Sequence, residues 1–155
     1  MTAALDIPAL TLRWMTRLEG DGYPVGTVRK IRLSTRMTRS LGITRERRNA
    51  GGDKEYSLSF SMALTQMPEK YADVAIVHEL IHTFPDCMNH GRDFKNWGVL
   101  LHERYSLCCE ISRISPPEMT GAFNSTAFIT TKKQQKKKKK RRHKRRRRLF
   151  FPFFN

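Results

Sequence analysis

The chain has 155 residues, 39% hydrophobic and 28% charged, enough apolar material for one domain with a real core. Its net charge of +16 is uneven: 14 of the 30 Lys and Arg lie in Lys132–Arg148, which leaves residues 1–131 at +2 and excludes any argument from global basicity to the function of the rest. No uncharged apolar run nears 18 residues, and Met1–Trp14 lacks the basic start and apolar centre of a secretory leader, so a cytoplasmic protein with no membrane contact is expected, or a nuclear one in a eukaryote.

In chain order, Asp6 and Pro8 open a helical pattern in which Leu10, Trp14, Met15 and Leu18 share a face, and Gly20, Gly22 and Pro24 end it. Val28, Ile31 and Leu33 alternate imperfectly with Arg29, Lys30 and Arg32 in a first strand. A second strand near Leu41–Arg47 runs into the turn Asn49–Asp53. Tyr56, Leu58, Phe60 and Met62 then alternate with Ser57, Ser59 and Ser61, the pattern of a hairpin with one buried face. The basic residues of this region, from Arg29 to Arg48, read first as the solvated face of a small sheet, and otherwise as a surface that tracks a nucleic-acid backbone.

Val74–Phe94 concentrates the chemistry. Three of the five histidines, His78, His82 and His90, fall within 13 positions, with Glu79 beside the first. On a helix, His78 and His82 stand about 40° apart on one face, so both imidazoles can reach one ion. Glu79 is one residue off that stripe, where a general base would touch a water rather than ligate. The flanking Ala72, Val74, Ala75, Ile76, Val77, Leu80, Ile81 and Phe84 are apolar on almost every side, which predicts a buried helix in which unpartnered imidazoles and a carboxylate would each cost several kcal/mol.

Catalytic zinc usually takes three protein ligands and a water. His90, after the loop opened by Pro85, is one candidate for the third, and Glu103, 21 residues after His82, is the other. Cys87 lies in the same loop and reads as a small buried side chain or as a further ligand. Phe94, Trp97, Leu101, Tyr105 and Cys108 recur at steps of three and four, predicting an amphipathic helix from about Gly91 to Ile111, after which Pro116 and Pro117 close the domain.

HELIH, a proline-containing loop and HGRDF ahead of an aromatic helix resemble the SprT-like (Spartan-type) zinc metallopeptidase domain. The upstream run from Ile31, with its R-x-x-x-x-x-G approach and serine-rich strand, extends the resemblance to about Thr27–Ile111. It implies an α+β, zincin-like minimal domain: a small antiparallel sheet with an N-terminal helix, a buried metal helix and a following amphipathic helix. It also implies one zinc per chain on His78, His82 and His90, Glu79 as the base, and protein substrates, including DNA-associated ones. Tyr71 and Tyr105 are the candidates for oxyanion support.

The resulting organisation is a peptidase domain at 1–115, a linker at 116–131 and a polybasic tail at 132–155, in a monomer. The cysteine-rich ribbon that follows many SprT-like domains has no counterpart after Cys109. Low-complexity cationic sequence cannot bury a core, so the tail is expected to be disordered. Lys136, Lys137, Lys138, Arg145 and Arg146 within it would contact DNA or RNA phosphates, unless the segment is a shifted reading frame over a repetitive stretch. Two other functions suit the same residues: a non-catalytic, zinc-stabilised nucleic-acid-binding module, and a zinc hydrolase of non-peptide amides.

Overall fold

A computed structural model describes residues 4–111, which fall within one compact unit, Met1–Met119. The linker and the tail, with Lys136, Lys137, Lys138, Arg145 and Arg146, lie outside the described residues.

Helix α1 spans Ile7–Gly20. The Asp6 carboxylate accepts from the Ala9 N–H (3.0 Å), and Pro8 occupies the first turn, where a missing N–H costs nothing. Its buried stripe is Ile7, Leu10, Thr11, Trp14 and Leu18. The strands are β1 (Thr27–Ser34), β2 (Gly42–Arg48) and β3 (Lys54–Ser61). β2 and β3 form the expected antiparallel hairpin, closed by Asn49 N–H donating to the Asp53 carbonyl.

The sheet is not antiparallel throughout. Its order is β1-β3-β2, and β1 runs parallel to β3 in the register Ile31↔Leu58 and Leu33↔Phe60. The physical reason lies in burial: Tyr56, Leu58 and Phe60 are the most deeply buried strand side chains, and a strand with that inner face belongs in the centre. The half-exposed β1 and β2 take the edges, and residues 35–41 carry the chain past the end of β3. The alternation also stops one residue early. Ser61 Oγ accepts from Ala63 N–H and starts a short 3-10 turn, Met62–Gln66, which turns Met62 out to 40% exposure.

Helix α2 (Glu69–Ile81) is exposed at its first turn and buried on all sides from its second, where Val74, Ala75, Ile76 and Val77 are buried in succession. It packs against α1, β2 and the next helix. Trp14 Nε1 donates to Asp73 (2.6 Å), which joins α1 to α2. Helix α3 covers Arg92–Tyr105, shorter than the expected Gly91–Ile111. Ser106 enters the left-handed region (φ 50°), its N–H returns to the Glu103 carbonyl, and Leu107 N–H donates to the His102 carbonyl. The chain is thereby turned so that Leu107 and Ile111 re-enter the core instead of extending the helix. No described helix is long and apolar enough to cross a membrane.

Candidate metal centre

The metal-competent side chains meet where α2 ends and α3 begins. His78 is on the last full turn of α2, and His82 is its C-terminal cap, still right-handed helical (φ −62°, ψ −15°). Thr83 and Phe84 N–H groups donate to the Leu80 and Ile81 carbonyls, so the turn tightens before Pro85 stops it. Asp86 then adopts φ 58°, a conformation that aspartate tolerates better than most residues. That reversal aims the Cys87 carbonyl back at α2 and sends His90 over both imidazoles.

Each of the two helix histidines is anchored through one ring nitrogen. His78 Nδ1 lies 2.9 Å from the Ile111 carbonyl and His82 Nδ1 lies 2.8 Å from the Cys87 carbonyl. A carbonyl only accepts, so each Nδ1 carries the proton and each Nε2 keeps a free lone pair. His78 and His90 bring their Nε2 atoms to 3.1 Å, and one nitrogen from each of His78, His82 and His90 lies within 4.8 Å of the others. A tetrahedral ion with metal–nitrogen bonds of about 2.0–2.1 Å separates its ligands by roughly 3.3–3.4 Å, so this spacing fits a shared ion. Phe94 floors the cluster, with its ring 4.9, 4.6 and 4.7 Å from the three imidazole centroids.

Burial also sets the protonation that ligation requires. His78 is pushed down to about 4, first by burial and then by its two histidine neighbours, and His82 is shifted down by burial as well. Both are neutral imidazoles at physiological pH. His82 is buried, His78 partly buried and His90 exposed, so the cluster opens to solvent on the His90 side.

Glu79 does not project into open space. It is 5% exposed and lies against β2, where Thr44 Oγ1 is 2.7 Å from Glu79 Oε2 and 2.9 Å from the Glu79 carbonyl. Burial raises its carboxyl to about 7, against the lowering effect of the Thr44 hydrogen bonds. A carboxyl near neutrality can both take and release a proton.

The other sequence candidates fall elsewhere. Glu103 lines a shallow surface pocket with Asp21, Tyr23, Trp97, Leu100 and Arg104 and is not in the histidine cluster. Cys87 is fully buried and serves His82 through its backbone. The Tyr105 hydroxyl donates to Asp21 and its ring packs on Trp14, while Tyr71, seven residues before His78 on α2, is about 10 Å of helix rise away. Oxyanion support is therefore not supplied by Tyr105 as it sits. Sequence reasoning missed Thr44, Gly42 and the Ile111 carbonyl. Compared with protein-family models, with curated proteins and with solved structures, the chain matches none.

Proposed function

We propose that this chain is a zinc-dependent metalloendopeptidase of SprT-like type, with His78, His82 and His90 holding the ion and Glu79 acting as base. The observation that carries the reading is an open three-imidazole cluster together with a nearly buried carboxylate on the residue that follows its first histidine in the chain. Three nitrogen donors suit zinc, and a site with three protein ligands leaves one position for water or substrate. When bound, zinc supplies Lewis acidity, polarising a carbonyl and acidifying a water. Glu79 takes the water's proton on its carboxylate as the oxygen attacks the peptide carbon, and gives that proton to the departing amine nitrogen.

A polypeptide substrate is supported by the edge of the sheet next to Glu79. Ser61 N–H donates to the Leu41 carbonyl and Asn49 N–H to the Asp53 carbonyl, which fixes the ladder's phase: odd-numbered residues of β2 bond to β3. The backbone groups of Gly42, Thr44 and Glu46 therefore face outward along an edge that pairs with no other described strand. An extended peptide can pair there, beside the residue that binds Glu79. Preference for DNA-associated proteins is the further part of this proposal that the resemblance brings.

The test is cleavage of casein by the full-length chain. Activity that a chelator abolishes, that zinc restores and that Glu79→Gln lacks is the expected result. Zinc-loaded protein inactive on casein and on DNA-bound protein, or a fully active Glu79→Gln variant, would overturn the reading.

A further inference from the structure

Glu79 is 35 residues from Thr44 in sequence, yet two residues of β2 lie directly against its carboxylate. Thr44 Oγ1 is 2.7 Å from Oε2. Gly42, two residues earlier on the same face of β2, lies flush against the other side of the chain: a Cβ there would meet Glu79 Cγ at 2.4 Å, Oε1 at 2.5 Å and Cδ at 2.7 Å. Contacts below 3.0 Å are not made by real Cβ atoms. Gly42 does not adopt a positive φ, so glycine is required here for space and not for backbone freedom. Both residues are set by the central strand, in the register Gly42↔Phe60 and Thr44↔Leu58, and both of those partners are fully buried.

We infer that Gly42 and Thr44 are positioning residues that form a clasp on β2, fixing the Glu79 side chain so that its two oxygens have different tasks. Oε2 is held by the Thr44 hydroxyl, whereas Oε1 accepts no hydrogen bond from the described residues and is left to receive the proton. The inference rests on Glu79 as the base. It adds that the edge strand, and not the metal helix alone, aims that base.

The test uses the full-length chain in two arms. In the first, Thr44→Val, which keeps shape but removes the hydroxyl, should retain zinc and KM while kcat falls by about tenfold or more, and Thr44→Ser should recover kcat to within about threefold. An equal loss in both variants, or no loss in Thr44→Val, would overturn the positioning role. The second arm needs no activity. Gly42→Ala and Thr44→Val should each lower the melting temperature by about 4–8 °C in the wild-type background and by almost nothing on Glu79→Ala, where the carboxylate that they strain or strand is gone. Full costs persisting without Glu79 would show that the clasp does not exist. Wild-type protein inactive on every substrate while the melting costs vanish on Glu79→Ala would overturn the peptidase reading, refute the catalytic role of the clasp with it, and keep only its geometry.

Discussion

Helices α2 and α3 are nearly equal in length and adjacent in the chain, yet they treat polar residues in opposite ways. α2 is apolar on every side, and the polar side chains at its C-terminal end, His78, Glu79 and His82, each have a specific partner: the Ile111 carbonyl, the Thr44 hydroxyl and the Cys87 carbonyl. α3 buries one stripe, Phe94, Gly98 and Leu101, and leaves Val99 and Leu100 in solvent. Its Glu103 is at the surface with nothing to organise it toward the cluster. A polar group inside an all-round buried helix must be matched or it destabilises the fold, whereas one on an amphipathic helix needs no partner. Of two glutamates that fit a zinc motif by spacing, only Glu79 is buried and held by a specific partner.

The largest effects expected from breaking this contrast are on the metal. Alanine at His78, His82 or His90 should each strip most of the zinc measured by elemental analysis of purified protein, while Glu103→Ala keeps about one ion per chain. An emptied site in Glu103→Ala with a filled one in His90→Ala would move the third ligand to α3. Next is Glu79→Gln, which should retain zinc and lose on the order of 10² or more in turnover in a peptidase assay. Loss of zinc in that variant would make Glu79 a support of the site and not its base.

Packing gives the third comparison. Phe94→Ala should cost about 3–5 kcal/mol in urea unfolding, because it empties the floor shared by three imidazoles, whereas Leu100→Ala on the exposed side of the same helix should stay within about 0.5 kcal/mol. Equal costs would mean that α3 is not buried along the stripe described. The smallest effect concerns the turn that delivers Ile111. Ser106 pays for its left-handed conformation, so Ser106→Gly should leave stability unchanged or raise it by less than about 1 kcal/mol in the same assay, and a clear loss would show that the serine side chain holds the turn.

Much of the fold was legible because it rests on local signals. Asp6 and Pro8 announced α1, the Asn49–Asp53 turn announced the β2–β3 hairpin, and the unbroken apolar run announced a buried α2. The order of strands was not legible, since alternation tells which face of a strand is buried but not which neighbour it takes, and nothing in Thr27–Ser34 marks it as parallel to β3. The end of α3 was hidden because Ser106 carries the left-handed cap that glycine usually signals.

At the site, HELIH and His90 were readable from spacing, but two of the three groups that orient the site side chains are backbone carbonyls, which have no residue identity to read. The third, Thr44, is brought to Glu79 only by tertiary packing. Gly42 was not singled out in the sequence, and the need for a glycine there becomes physical only once the Glu79 carboxylate is seen against it.

The most direct test of a three-histidine centre open to water is X-ray absorption at the zinc edge of the purified full-length protein. Three imidazole nitrogens and one further oxygen at about 2.0–2.1 Å, with no sulfur, is the result expected. A sulfur scatterer at about 2.3 Å, or a fourth imidazole, would mean that protein ligands close the site, and a closed site would contradict the catalytic account of His78, Glu79, His82 and His90.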